Sequence, residues 1–204
     1  MKQLIQNLRT GNITLAELPV PRPTPGNVLI KTQHSLISMG TERMLRDFSS
    51  SSYIGKAMQQ PEKVKMVFNK AKTDGLHATY SSIKDKLDRE ISVGYCNVGH
   101  VVAIGKGITN FQIGDLVVSN GSHSEYVTVP KNLVCKVPPK VEAVDASFTV
   151  IGAIALQGLR LAKPTLGECF GVIGLGLVGL ITVQLLRANG CNVVGFDVRE
   201  DRLK

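Results

Sequence analysis

The sequence predicts an α/β chain with a β-rich N-terminal part, a helical insert within that part, and a single βαβ unit at the end. Three observations predict it. Ile, Leu, Val and Thr dominate two blocks punctuated by glycine and proline; the stretch between them changes to helical periodicity; and a glycine-spaced turn near residue 174 joins a short apolar run to a longer one. At 204 residues with 43% hydrophobic content the chain can bury a real core, and its 20 glycines follow no collagen-like period.

The first β block covers Gln3 to Val20 and Asn27 to Ile37, with turns at Gly11-Asn12 and at Pro21, Pro23 and Pro25-Gly26. The second runs from Val93 to Val137 and offers three or four strands separated by Gly105, Gly107, Gly114 and Gly121. Together they predict one compact barrel-like unit over 1–142. Between them, 41–90 is a helical excursion. Pro61 opens a helix, Val64, Val67, Phe68 and Ala71 fall at helical spacing, and Gly75 stops it. Tyr80, Ile83 and Leu87 repeat the pattern, with Lys84, Asp85, Lys86 and Asp88 on the wet side.

A second unit, 143–204, begins with a long apolar helix from Ala143 to Leu161. Cys169 to Ile173 reads as a buried strand between Gly167 and Gly174. Helix Leu177 to Ala188, a stop at Gly190, strand Asn192 to Phe196 and the start of another helix, Arg199 to Lys204, complete the pattern. A sheet of only these two strands would expose apolar faces, so self-association, or a C-terminal portion beyond this chain, is expected.

The four cysteines, Cys96, Cys135, Cys169 and Cys191, form no CxxC pair and lie among apolar neighbours. They predict buried thiols, no disulfides and a reducing cytoplasm. The N-terminus lacks the apolar run of a signal peptide, and no stretch approaches the roughly 20 apolar residues of a membrane span. The net charge of +8 suits an anionic ligand such as a dinucleotide, but the basic residues are dispersed and carry no nucleic-acid signature.

Gly174, Gly176 and Gly179 form a G-x-G-x-x-G after a strand and at the start of a helix, the context that a dinucleotide-binding turn needs. Gly174 permits the tight turn, Gly176 lets a pyrophosphate approach the backbone, and Gly179 allows close packing of the helix. Leu175, Leu177 and Val178 complete the turn, and the helix N-terminus faces the phosphates. Asp197, about 20 residues on at the end of the second strand, is placed to accept hydrogen bonds from the adenosine ribose hydroxyls. It favours NAD over NADP. Arg199 and Arg202 offer the opposite preference, since an arginine pairs with a 2′-phosphate.

With MGTE at 39–42, GYCNVGHVVAIGKGI at 94–108, FQIGDLVV at 111–118, SEYVTVP at 124–130 and the glycine turn, the chain resembles the medium-chain dehydrogenase/reductase superfamily, over nearly its whole length. The resemblance implies a GroES-like β-barrel domain followed by the first βαβ unit of a Rossmann fold. More narrowly, ISMGTE, the helical insert, NLVCKVP and IGAIALQGLR resemble the bidomain oxidoreductases of bacterial polysaccharide loci, which implies a sugar or sugar-nucleotide substrate.

Zinc-type members carry CGTD and GHE where this chain has Met39-Gly40-Thr41-Glu42 and Gly94-Tyr95-Cys96, and no four-cysteine lobe exists. The donors that catalytic or structural zinc requires are missing, and nothing in the spacing of Cys96, His100 and His123 demands a metal. Hydride transfer would then rest on positioning and hydrogen-bond donors. By the resemblance, Thr41 matches the proton-relaying hydroxyl and Tyr95 replaces a zinc histidine; His123 could exchange a proton near neutral pH. The plainer roles are an N-cap for Thr41, core packing for Tyr95, a loop position for His123, and a favourable first-turn charge for Glu42. The expectation is a zinc-independent, NAD-linked oxidoreductase of which this chain is the N-terminal portion, inactive alone. The alternative is a noncatalytic ligand- or partner-binding module with a remnant cofactor fold.

Overall fold

The computed structural model describes residues 1–50 and 90–203, so the expected helices around Pro61 to Gly75 and Tyr80 to Leu87 lie outside the described residues. The chain opens with β1 (Lys2–Asn7), β2 (Ile13–Glu17) and β3 (Asn27–Ser35), followed by α1 (Met39–Ser50). Then come β4 (Glu90–Ser92), β5 (Asn97–Ile104), β6 (Leu116–Ser119), β7 (Tyr126–Pro130) and β8 (Val134–Lys136). The second β block thus gives four strands after β4. A five-stranded antiparallel sheet runs β7-β3-β5-β6-β8, and a three-stranded antiparallel sheet runs β2-β1-β4. A bridge between Gln3 and Ser124 ties the two together.

The alternation of β-branched residues explains the main core. Val28, Ile30, Val101, Phe111, Val117, Val127 and Val129 point to one face and pack together, all buried. Each such side chain, fully removed from water, stabilises the fold by about 1.5–3 kcal/mol. A smaller cluster of Val98, Val118 and Ala146 fastens the other face to the segment that follows β8.

That segment is not the single helix expected from Ala143 to Leu161. It is two helices, α2 (Ala143–Ala146) and α3 (Thr149–Ala162). The Ser147 hydroxyl donates to the Val144 carbonyl at 2.6 Å, and the Ser147 amide bonds the Ala143 and Val144 carbonyls. Such short-range bonds compete with helix continuation. Lys163, in the left-handed region at φ 50, ends α3 just before Pro164.

Strand β9 (Cys169–Ile173), helix α4 (Leu177–Ala188) and strand β10 (Asn192–Phe196) follow with the boundaries the sequence predicts. β9 and β10 pair in parallel, the arrangement that a helical crossover imposes. Phe170, Val172 and Val193 pack under Leu159, Leu186 and Cys191, joining α3, α4 and the sheet.

The expectation of a buried β9 does not hold, whereas the expected exposure of apolar faces on this two-stranded sheet does. Ile173 is 90% exposed and Phe196 53%, because α3 and α4 cover one face of this pair and no described element covers the other. Two of the four thiols depart from expectation for the same kind of reason: Cys96 and Cys191 are buried, whereas Cys135 and Cys169 sit at outward-facing strand positions. The expected last helix is a single 3-10 turn, Glu200–Arg202, and Lys204 is outside the described residues. No helix among the described residues is long and apolar enough to cross a membrane.

Candidate functional site: a glycine turn and a hydroxyl pair

The turn between β9 and α4 is built by its glycines in two different ways. Gly174 sits at φ +91, a conformation that side chains resist. Gly179 lies against it so closely that a Cβ there would be 1.8 Å from the Gly174 carbonyl oxygen. Around Gly176 the space is open: a Cβ would meet only the Arg202 guanidinium, at 3.8 Å. Gly176 is the N-cap of α4, and it carries no side-chain cap. The first amides of a helix lack intrahelical partners, so those of Leu177, Val178 and Gly179 leave a positive end for an anion.

Asp197 holds the turn from behind. Its Oδ2 accepts the Leu175 amide at 2.7 Å and the Arg202 guanidinium at 3.3 Å, while Oδ1 accepts the Arg199 amide at 2.9 Å. The side chain is only 3% exposed. The Arg199 and Leu175 amides, with Arg202 behind them, hold the carboxyl below the usual carboxylate range. Arg199 instead pairs its side chain with Asp201, at 3.0 Å for the Nε donor. Of the two arginines, Arg202 is the one on the acid. Both oxygens of the Asp197 carboxylate are thus engaged within the chain.

The second constellation gathers residues far apart in sequence. Thr41 Oγ1 and the Tyr95 hydroxyl lie 3.1 Å apart, and both side chains are half-buried. Thr41 stands in the first turn of α1 and so is not the N-cap; the hydroxyl of Ser38, which precedes the helix, lies 3.4 Å away. Glu42 reaches back to accept the Ser38 amide at 3.0 Å, which secures the start of α1. The same Glu42 oxygen is 3.1 Å from Nε2 of His123, and Nδ1 of His123 is 2.9 Å from the Ser35 hydroxyl. His123 is buried, 7% exposed, with both nitrogens engaged, so it does not reach the space beside Thr41 and Tyr95 directly.

The partners Ser35, Ser38 and Glu42 carry no sequence signal that links them to position 123. Gly94, at φ +90, does carry one in retrospect, since it precedes Tyr95 and a Cβ there would fall 2.5 Å from the His123 ring.

Among the described residues no group of three or more His, Cys, Asp and Glu side chains is placed to hold a metal ion. The donor set fits zinc poorly for a chemical reason as well. Cys96 is buried and offers a single thiol, whereas the catalytic site of a zinc enzyme takes three protein donors. His100 is exposed on β5, apart from the buried Cys96 and His123. Cys96 also meets the backbone of Ile151 in α3, so the stretch before β5 that carries Tyr95 contacts the helix that leads to the glycine turn.

No family model matches the chain. Among curated proteins it is 27% identical over 127 residues to a (R,R)-butanediol dehydrogenase of Bacillus subtilis, covering 49% of this chain and 37% of that protein. A L-threonine 3-dehydrogenase of Stenotrophomonas maltophilia aligns with 100% of this chain at 25% identity, covering 59% of the relative. The curated proteins it matches are alcohol, butanediol and threonine dehydrogenases, and the chain is similar to them along its length.

Solved structures share this fold across the chain. An alcohol dehydrogenase from Escherichia coli complexed with NADH superposes with a TM-score of 0.75 at 19% identity, over 100% of this chain and 58% of that one. A mycobacterial protein complexed with NADPH gives 0.71 at 23% identity, over 100% and 55%. The chain spans about half the length of the curated relatives it matches, 37% and 59% in the two cases above.

Proposed function

We propose that the chain is the N-terminal portion of a nicotinamide-dependent oxidoreductase that transfers hydride without zinc, on a sugar-type alcohol or carbonyl. In this reading 1–142 is a GroES-like domain and 143–204 the start of a Rossmann domain. The observation that carries it is the glycine turn: Gly174 and Gly179 are required by the backbone itself, whereas Gly176 keeps open space beside the N-terminus of α4. Structural packing alone explains the first two glycines but gives no reason for the third; a pyrophosphate does.

A bound nicotinamide supplies the hydride chemistry. The chain's own residues bind and orient. The amides of Leu177, Val178 and Gly179 and the positive end of α4 take the phosphates, and Asp197 takes the adenosine ribose once Arg202 swings aside. NAD is the proposed cofactor. Arg202, already seated on the acid, sets the cost of admitting its ribose, and Arg199 stands next to it.

Thr41 and Tyr95 supply the hydroxyls at the reacting oxygen. Their 3.1 Å contact lets one orient the other, and either can donate to a substrate oxygen or pass a proton from it. The zinc-free reading rests on Met39, Tyr95 and Cys96 standing where the zinc-type pattern has its donors. A sugar or sugar-nucleotide substrate is proposed from the resemblance to the bidomain oxidoreductases.

The test is calorimetric titration of the longer protein with NAD and with NADP, with metal analysis of the same sample. Binding of NAD with no stoichiometric zinc is the expected result. Tight preference for NADP would overturn the role given to Asp197, zinc at one equivalent would overturn the metal-free mechanism, and binding of neither nucleotide would overturn the reading as a whole.

A further inference from the structure

We propose that His123 is a positioning residue, which sets the Thr41–Tyr95 hydroxyl pair by gripping the two segments that carry it together with a third that adjoins them. The proposal rests on the reading of that pair as the reacting hydroxyls. The three segments are the end of β3, the first turn of α1 and the stretch before β5.

His123 meets the first through Ser35, 2.9 Å from Nδ1, and the second through Glu42, 3.1 Å from Nε2. The third it meets twice. Its amide donates to the Val93 carbonyl at 2.7 Å, and its ring fills the slot that Gly94 leaves by having no Cβ. Glu42 is the residue after Thr41, and Gly94 is the residue before Tyr95. One imidazole therefore fixes the immediate neighbours of both hydroxyl residues.

The hydrogen-bond chemistry fixes the roles of the two nitrogens. The Glu42 oxygen already accepts the Ser38 amide and acts only as an acceptor when ionised, so Nε2 carries the hydrogen and donates. In the neutral ring Nδ1 then accepts from Ser35. Removing the Nε2 donor frees Glu42 to swing on its own stem, and with it the register of Thr41 against Tyr95. Removing the Nδ1 contact alone loosens Ser35 and leaves the link to Glu42 in place. A residue that merely filled the slot beside Gly94 would leave the Tyr95 signal unmoved when Glu42 alone is replaced.

Two polar replacements separate these roles. His123→Gln can place an amide donor near the Nε2 position, and His123→Asn places one near Nδ1 only. The readout is the ¹³Cζ resonance of Tyr95 in the protein labelled at tyrosine, assigned by its loss in Tyr95→Phe. Thr41→Val defines the position of this resonance when the hydroxyl partner is absent. His123→Asn is expected to move the Tyr95 signal to the Thr41→Val position, and His123→Gln to leave it at the wild-type one.

Equal shifts in both variants, or no shift in His123→Asn, would overturn the proposal. If His123→Asn does not fold, Glu42→Ala takes its place, because action through Glu42 requires it to move the Tyr95 signal with His123 intact; an unmoved signal there also overturns it. The resonance reports geometry whether or not a nucleotide binds. Failure of the nicotinamide titration therefore sinks the reading of the pair as reacting hydroxyls, while failure of the Asn/Gln asymmetry sinks only the role of His123.

Discussion

The Leu175 amide donates to Asp197 Oδ2 at 2.7 Å, which makes the acid at the end of β10 part of the glycine turn before any ligand arrives. Because the folded-state pKa of Asp197 is depressed, its contribution to stability is complete above the ordinary carboxylate value of about 3.9 and is lost as pH falls through the lower folded value. Asp197→Asn is expected to lower the melting temperature at pH 7. The gap to wild type should narrow steadily from pH 5 to pH 3. A gap independent of pH, measured by thermal melts in matched salt, would show that the charge of Asp197 contributes nothing.

Two glycines of the same turn should respond oppositely to alanine. At Gly179 a Cβ would sit 1.8 Å from the Gly174 carbonyl, so helix and strand must separate, at a cost of about 1–3 kcal/mol or more. At Gly176 the nearest atom to a Cβ is 3.8 Å away, and Gly176→Ala is expected to keep the stability of the wild type within about 0.5 kcal/mol. Nucleotide affinity should fall in both. Urea unfolding alongside nucleotide titration separates the two: a stable Gly176→Ala protein with unchanged affinity would remove the pyrophosphate from this turn.

The architecture was legible where local periodicity and final burial agree. Leu177–Ala188 and Asn192–Phe196 could be read to the residue, since α4 needs only its apolar stripe and β10 only its short alternating run. The break at Ser147 was not legible, because whether a serine hydroxyl turns back on the helix depends on what packs around it, and the apolar run continues straight past it. Burial at Cys135 and Cys169 failed for a related reason: neighbours in sequence do not say which sheet face is covered. Of the candidate site, the glycine turn and the separate candidacies of Thr41 and Tyr95 were accessible from motif and resemblance, but their contact was not. The partners of His123 were not, since contacts between positions 35, 42 and 123 exist only once β3, α1 and the loop before β7 are folded together.

Thiol reactivity offers a direct check on this burial pattern. Cys135 and Cys169 are exposed, whereas Cys96 is buried with its thiol pushed up to about 11, and Cys191 is buried in the α3–α4 core. Since the thiolate is the nucleophile, iodoacetamide at pH 7.5 should label the first two rapidly. Cys96 and Cys191 should react only after denaturation. Peptide mass spectrometry over a time course resolves the order, and early labelling of Cys96 would contradict its packing against Ile151.

The hydroxyl pair carries the catalytic prediction. Tyr95 and Thr41 are both half-buried; Tyr95→Phe removes their shared hydrogen bond, and Thr41→Val removes that bond and the one from Ser38, each worth about 1 kcal/mol to the fold. Their effect on turnover should be far larger than that. Loss of a positioned proton-transfer or oxyanion-orienting group lowers kcat by about 10²–10⁴. In the longer protein, assayed on a panel of polyols and sugar alcohols, kcat is expected to fall into that range with nucleotide affinity unchanged. The double variant should be little worse than either single one, because each hydroxyl works through its 3.1 Å contact with the other. Full additivity of the two losses would mean that Thr41 and Tyr95 act independently, and a kcat within twofold of wild type in both would place the reacting hydroxyls elsewhere.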